Sequence, residues 1–189
     1  TDYHYYVSRY DGEIRYLDNE INRLLDTLKK QGFYDNALII FTSDHGEGMG
    51  EHNYYFSHNE SLYNGQIHVP LMIRYGKQFK GRRNDFVQHI DLVPTILNIL
   101  KMTPNLRLRG RDLMNHAMTI SPILSEMPTA QKGFKFSLVQ NKHKLIYNQQ
   151  SKIHELFNLS SDPGEQADLS RDGALQARSQ NMAIEMRRI

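Results

Sequence analysis

Apolar residues recur every three or four positions along the first part of the chain. Over residues 8–31, charged and amide side chains fill the positions between them, which predicts an amphipathic helix. Ser8 and Asp11 resemble a start signal, and Gly32 is a typical stop. The apolar positions of this predicted helix are Ile14, Leu17, Ile21, Leu24, Leu25 and Leu28.

Two short apolar runs follow, and each has the length of a strand. Residues 37–42 form an unbroken run, which is typical of a strand buried on both faces of a sheet. Residues 69–75 form the second run, with Pro70 at its entry, where a missing N–H is tolerated. Asp91 then begins a second predicted helix, with Pro94 in its first turn. Helix, strand, strand and helix in this order predict an α/β sheet flanked by helices.

The pattern changes in the second half of the chain. Residues 103–132 are rich in Pro, Asn and Thr, and we expect them to be irregular. Residues 134–140, 143–148 and 153–159 each have the pattern of a short strand, and polar turns join them. This arrangement predicts a small antiparallel sheet.

These patterns divide the chain into two predicted domains. Residues 1–125 are expected to carry the larger α/β sheet. Residues 126–189 are expected to carry the small antiparallel sheet, with a closing helix over residues 174–189.

Composition excludes several classes of protein. Of the 189 residues, 39% are hydrophobic and 23% are charged, which argues against a disordered chain, collagen or a coiled coil. The 23 Lys and Arg against 21 Asp and Glu give a net charge of +2, with no basic stripe that would bind nucleic acid. No apolar run approaches the roughly 18 residues of a membrane span. The absence of cysteine excludes disulfides, thiolate metal sites and cysteine nucleophiles from these residues.

The clearest chemical signal comes directly after the first predicted strand. Asp44 and His45 stand side by side at its carboxyl end, where ligands gather in α/β sheets. They offer one carboxylate oxygen and one imidazole nitrogen to a divalent cation. Three glycines at alternate positions after His45 let the backbone approach a ligand closely. The alternative is that Ser43 and Asp44 cap a turn and that His45 is an ordinary loop histidine.

Two further histidines lie downstream of this pair. His52 and His58 enclose an aromatic run, and a proton-donating group here would meet an anionic substrate or protonate a leaving oxygen. The alternative is that Tyr54, Tyr55 and Phe56 are packing residues and that the histidines are their polar neighbours.

Eight separate segments share one family pattern in their order and spacing. They are Ser43-Asp-His-Gly-Glu47, Gly50-Glu-His52, His58, Tyr63, His68-Val-Pro-Leu71, the helical segment 10–18, the segment 89–95 and the segment 156–165. This set resembles the C-terminal half of sulfatases in the alkaline phosphatase superfamily and covers most of residues 8–170. The resemblance implies an α/β fold: the C-terminal part of an alkaline-phosphatase-like mixed sheet flanked by helices, plus a small antiparallel C-terminal subdomain.

The resemblance also implies a metal site. By position in the shared motif, Asp44 and His45 would be metal ligands. Sulfatases usually bind calcium, whereas phosphate-cleaving relatives use manganese, zinc or magnesium. A histidine ligand suits the transition metals better than calcium, so the metal stays open, with calcium favoured by the family.

The resemblance assigns a substrate role to His58. Sulfatases place a lysine or histidine there, in contact with the sulfate and its leaving-group oxygen. Such a group shares negative charge in the transition state or donates a proton to the departing alkoxide. His52 and His68 are further candidates for substrate binding, with packing and a strand-start position as their alternatives.

Four polar residues near the second helix are interpreted as structural. His89 and Asp91 are expected to cap that helix. Arg109 and Arg111, which flank Gly110, are expected to be solvated surface charges.

The sequence departs from the family pattern in two respects. Sulfatases need a Cys or Ser that is converted to formylglycine within a C/S-x-P/A-x-R signature, and an N-terminal pair of acidic metal ligands. Neither occurs in this sequence. We therefore expect the C-terminal portion of a sulfatase that is inactive alone, since a nucleophile and half of the metal ligands are missing. We also expect it to need the missing N-terminal half for stability.

Two other functions remain open. One is phosphoryl transfer, by a phosphodiesterase, a phosphonate monoester hydrolase or a phosphoethanolamine transferase, because these relatives share the Ser-Asp-His-Gly-Glu motif. The other is a non-catalytic pseudo-enzyme module that keeps only this part of the pocket. The segments 10–18 and 162–165 favour a sulfatase acting on a sulfate ester. The family also implies a location outside the cytosol, in the periplasm, the lysosome or the extracellular space.

Overall fold

A computed structural model of the chain describes residues 3–77, 79, 81–115, 122–129, 133–186 and 188. The chain divides into two units by its internal contacts. The first unit comprises residues 1–60 and 65–83, and the second comprises residues 61–64 and 84–189. The domain boundary expected between residues 125 and 126 stays a prediction.

The first unit opens with a single long helix. Helix α1 (Tyr3–Lys30) begins five residues before the predicted start, so Ser8 lies inside it and its hydroxyl donates to the Tyr5 carbonyl at 2.8 Å. The helix stops where predicted, because Gly32 takes the left-handed conformation with φ 76°. None of the α1 residues is buried. Across the described part of the chain, no helix combines the length and the apolar character that crossing a membrane requires.

Four short strands complete the first unit. Strand β1 (Leu38–Thr42) is followed by a small hairpin of β2 (Gly48–Met49) and β3 (Tyr55–Ser57). After one helical turn, α2 (Asn64–Ile67), strand β4 (Leu71–Tyr75) runs antiparallel to β1. All five residues of β1 are only half-buried, so the predicted burial on both faces is wrong for the described structure. Within the described residues β4 is the one ladder partner of β1, which leaves part of the strand surface uncovered.

Helix α3 (Leu92–Ile99) begins where predicted, at a buried carboxylate. Asp91 is fully buried and accepts the backbone N–H groups of Gln88 and Arg111 at 3.1 and 2.7 Å. Asp91 occupies the N-cap position of α3 as expected, but its side chain makes no capping bond to that helix. It closes instead the short 3-10 turn His89–Asp91 that precedes α3. The interpretation of Arg111 as a solvated surface charge is wrong, because its guanidinium lies 3.1 Å from the Asp91 carboxylate and its side chain is only 17% exposed. Gly110 permits this approach, since a Cβ there would lie 1.8 Å from the Ile90 carbonyl oxygen.

A four-stranded antiparallel meander dominates the second unit. Its order confirms the three predicted strands and adds a fourth within the segment that was expected to be irregular. That expectation is wrong at residues 123–128, where Ile123 pairs with Val139 and is buried. Residues 116–121 and 130–132 of that segment lie outside the described residues, so the expectation is not tested there. The strands are β5 (Ile123–Pro128), β6 (Phe134–Gln140), β7 (His143–Asn148) and β8 (His154–Asn158).

The main core lies on one face of this sheet. The register places Leu138, Leu145 and Leu156 in one row across β6, β7 and β8, and all three have 0% exposure. Met182 of helix α4 (Gln176–Met186) packs on this row. The closing helix is thus confirmed, although positions 187 and 189 of the predicted range lie outside the described residues.

A buried ion pair lies beside this core. Lys144 Nζ is 2.6 Å from the Glu165 carboxylate, and both side chains are almost fully buried. Lys144 also donates to the Asn64 side-chain oxygen at 2.9 Å, and the Asn64 backbone N–H donates to Glu165 at 2.6 Å. Burial lowers the pKa of Lys144, and the negative charge of Glu165 counteracts that shift.

Candidate functional site

The first part of the site is the turn that follows β1. The Asp44 carboxylate accepts the backbone N–H of His45 at 3.0 Å, and the Ser43 hydroxyl donates to the His45 carbonyl at 2.6 Å. The predicted turn-capping alternative is therefore also realised. The Asp44 side chain nevertheless remains 87% exposed. The N–H bond from His45, followed by the electrostatic effect of its ring, holds the pKa of Asp44 below its usual value, so the carboxylate is charged at neutral pH.

The donor atoms of Asp44 and His45 suit a shared cation. His45 Nδ1 lies 2.8 Å from the Gly46 carbonyl, which only accepts, so Nδ1 carries a hydrogen, and in the neutral ring Nε2 keeps its lone pair. Nε2 is 3.7 Å from Asp44 Oδ2. Metal–ligand distances of about 2.0–2.6 Å allow one ion to reach both atoms. A histidine whose other nitrogen donates to a carbonyl is typical of metal ligands.

The pair does not amount to a complete coordination shell by itself. Within the described residues, no group of three or more His, Asp or Glu side chains is arranged to hold a metal ion. Asp44 and His45 therefore fit a metal ion as two ligands of a larger set.

A glycine fixes the backbone beyond this pair. The Gly46 N–H donates to the Gln66 carbonyl at 2.8 Å, and a Cβ at residue 46 would lie 2.2 Å from the Gly65 carbonyl oxygen. Only glycine fits this close approach of two backbone segments. Gly46 thus allows two backbone segments to pack in direct contact, in addition to the turn that the sequence predicted.

The second part of the site is the hairpin that carries His58. Gly48 pairs with Ser57 across β2 and β3. Because the strands are antiparallel, the residue before Gly48 faces the residue after Ser57, so Glu47 lies opposite His58. Nδ1 of His58 lies 3.1 Å from Oε2 of Glu47. The His58 ring also stacks on the His45 ring, with 4.4 Å between centroids and 25° between planes. The structure therefore groups Asp44, His45, Glu47 and His58.

The other two predicted histidines lie on neighbouring segments. His52 sits in the turn Glu51–Asn53 with left-handed backbone angles of φ 52° and ψ 27°. His68 is exposed in the stretch between α2 and β4. The contacts described for His45 and His58 are with Asp44, Gly46, Glu47 and each other. Their roles in substrate binding stay predictions.

The aromatic run between His52 and His58 is in part a packing element. Phe56 stacks on Tyr6 of α1 with 4.4 Å between ring centroids, although it remains 37% exposed. Tyr6, Tyr10 and Phe56 line a cavity of about 220 Å³ that Glu47 also borders. The packing alternative for Phe56 is thus confirmed.

Sequence reasoning did not single out Glu47, which the structure places against His58. Glu47 belongs to the Ser-Asp-His-Gly-Glu motif, but the motif alone does not predict which side chain Glu47 contacts. The missing signal was the hairpin register, which a sequence shows only weakly because the strands have two and three residues.

Comparison with known proteins agrees with the motif pattern. The sulfatase family model matches residues 1–102 of this chain. The choline-sulfatase of Rhizobium meliloti is 28% identical over 170 residues, which cover 86% of this chain and 33% of that protein. The chain therefore spans about a third of the length of this curated relative.

Solved structures show the fold. A 2-O GAG sulfatase superposes with a TM-score of 0.84 at 19% identity, over 97% of this chain and 42% of that one. A phosphonate monoester hydrolase from Silicibacter pomeroyi superposes with a TM-score of 0.76 at 25% identity, over 90% of this chain and 38% of that one. The expected alkaline-phosphatase-like fold is confirmed, and the chain belongs to the sulfatase family.

Proposed function

We propose that this chain supplies part of the active site of an enzyme that hydrolyses sulfate esters with a divalent metal ion. The observation that carries the proposal is the grouping of Asp44, His45 and His58 after β1, in a chain of the sulfatase family. These are the side-chain types that bind a cation and an anionic ester side by side.

In this proposal Asp44 and His45 are two of the metal ligands. The charged carboxylate and the free Nε2 lone pair are the donors. A bound divalent ion would draw charge from the oxygens of the sulfate group. Calcium is favoured by the family, and manganese, zinc and magnesium are the alternatives because of the histidine ligand.

His58 is the residue that meets the ester. Because Nδ1 faces Glu47, Nε2 lies on the opposite edge of the ring and is the nitrogen that can reach substrate. A protonated Nε2 hydrogen-bonds the sulfate and donates its proton to the leaving oxygen as the S–O bond breaks. His52 and His68 are proposed to contact more distant parts of the substrate.

The remaining chemistry is proposed to lie outside these residues. The nucleophile, expected to be formylglycine, and the other metal ligands do not occur here, so we propose that the 189 residues are inactive alone. We also propose that the enzyme works outside the cytosol, as the family suggests.

Phosphoryl transfer is the second candidate function. The observations that favour it are the histidine among the ligands and the likeness to a phosphonate monoester hydrolase. Imidazole ligands are common in metal centres that cleave phosphate esters.

One experiment separates the two functions. The protein, as its gene encodes it, is assayed with an aryl sulfate and with the matching aryl phosphonate ester, as wild type and as His58→Ala. We expect the sulfate to be the better substrate, with His58→Ala lowering kcat by roughly 100-fold or more. Faster cleavage of the phosphonate would support phosphoryl transfer. Full activity of His58→Ala would contradict the role given to His58.

A further inference from the structure

We infer that Glu47 is the positioning residue of His58. Its carboxylate holds the hydrogen on Nδ1, so that Nε2 faces the ester and the ring passes its proton in one fixed orientation. This inference rests on the proposed function, because it assigns the residue that prepares His58 for that reaction.

Two different contacts fix the His58 ring. The Glu47 carboxylate lies 3.1 Å from Nδ1, which restrains the ring through its edge. The stack on His45 restrains it through its face. Edge and face contacts together leave the ring one orientation, although the His58 side chain is 46% exposed. An exposed histidine without such partners would rotate freely.

The backbone on both sides of Glu47 is equally restrained. A Cβ at residue 46 would meet the Gly65 carbonyl oxygen at 2.2 Å, and a Cβ at residue 48 would meet the Tyr54 carbonyl oxygen at 2.8 Å. Glu47 therefore lies between two positions where the backbone is packed against other backbone. This packing restrains the Glu47 backbone, and the contact with Nδ1 of His58 holds the carboxylate.

The second oxygen of the Glu47 carboxylate indicates that the negative charge of Glu47 serves the contact with His58. Oε1 of Glu47 is buried and has no hydrogen-bond partner among the described residues. A buried unpaired polar atom is unfavourable, and packing alone would be served better by an apolar side chain. The contact with His58 offsets this unfavourable burial, since the Glu47 carboxylate accepts a hydrogen bond from Nδ1–H.

The contact has a consequence for proton transfer. When the S–O bond breaks, its electron pair stays on the leaving oxygen, and the proton on Nε2 moves to that oxygen. Nε2 keeps the electron pair of its N–H bond, and the ring is left neutral with its hydrogen on Nδ1. That tautomer is the one the Glu47 carboxylate stabilises, so the ring needs no rotation.

The test combines kinetics with a direct reading of the tautomer. The gene-encoded protein is prepared as wild type, Glu47→Gln, Glu47→Ala and His58→Ala, and as the double variant of Glu47→Ala with His58→Ala. Glu60→Gln is the matched control, because it removes a carboxylate two residues from His58 that accepts from the Ser57 hydroxyl. The His58 ring is observed by ¹⁵N NMR at a pH where it is neutral.

We expect Glu47→Ala to lower kcat by roughly 10- to 100-fold with little change in KM. Glu47→Gln should retain more activity than Glu47→Ala, because its amide oxygen still accepts from Nδ1. Glu60→Gln should remain near wild type. In the His58→Ala background, Glu47→Ala should change kcat less than twofold. The NMR signal of His58 should change from the Nδ1–H to the Nε2–H tautomer in Glu47→Ala.

Two results would overturn the inference. One is an Nδ1–H tautomer that persists in Glu47→Ala. The other is a loss of kcat in the double variant equal to the product of the two single losses. If wild type does not cleave sulfate esters, the proposed function fails, whereas the tautomer measurement still decides whether Glu47 sets the state of His58.

Discussion

The long helix of the first unit and the meander of the second unit use similar apolar residues with opposite results. Ile14 and Leu24 of α1 are 53% and 58% exposed, whereas Leu145 and Leu156 are fully buried. Both sets follow the period of their element. A periodic pattern therefore predicts which side chains share a face, but not whether another element covers that face.

Ion pairs repeat this contrast. Arg23 and Glu20 of α1 lie 2.7 Å apart in solvent, with side chains 75% and 38% exposed. Lys144 and Glu165 lie 2.6 Å apart with almost no exposure. Similar distances therefore carry different energetic weight, because removing one partner of a buried pair leaves a charge that water cannot reach.

The largest expected effect comes from the buried ion pair. Lys144→Met leaves the Glu165 carboxylate buried without its cation and should lower the free energy of unfolding by about 3–5 kcal/mol. Urea denaturation followed by circular dichroism measures this loss. Pairing Lys144→Met with Glu165→Leu should recover much of it. Arg23→Met removes one partner of the exposed pair and should leave the urea midpoint unchanged. Equal losses of stability in Lys144→Met and Arg23→Met would show that burial does not set the weight of these ion pairs.

The next effect concerns the row of buried leucines. Leu145→Ala removes a side chain with 0% exposure and opens a cavity between the sheet and α4, which should cost about 3 kcal/mol of stability. The same denaturation experiment detects the change. A loss below about 1 kcal/mol would mean that the core collapses around the cavity or lies elsewhere.

The smallest effect is expected on α1. Leu24→Ala alters a side chain that is 58% exposed and should change the free energy of unfolding by less than about 0.5 kcal/mol. The Leu24→Ala and Leu145→Ala variants are compared in the same denaturation experiment. A loss as large as that of Leu145→Ala would show that the α1 face is covered in the folded protein.

Local patterns predicted most of the elements. The strands at residues 134–140 and 143–148 were predicted with the bounds that the structure shows, because alternation and polar turns are local signals. Strand β5 was missed, since its stability comes from pairing with β6 and from the burial of Ile123 and Met127 rather than from its own composition.

One part of the grouping at the candidate site could be predicted from the sequence, and one part could not. Asp44 and His45 are adjacent in sequence, so their grouping needed no tertiary information. The contact of His58 with Glu47 spans eleven residues and depends on the β2–β3 register, which local patterns do not specify. Arg111 was misjudged for a related reason: its buried partner Asp91 lies twenty residues away.

Metal content and sulfate release, measured together, test whether Asp44 holds a catalytic metal ion. The gene-encoded protein is purified as wild type and as Asp44→Ala, its bound metal is measured by mass spectrometry, and sulfate release from an aryl sulfate is followed. We expect a bound divalent metal and sulfate release in the wild type, with both lost in Asp44→Ala. An Asp44→Ala variant that keeps its metal and its rate of sulfate release would contradict the role of Asp44 as a metal ligand.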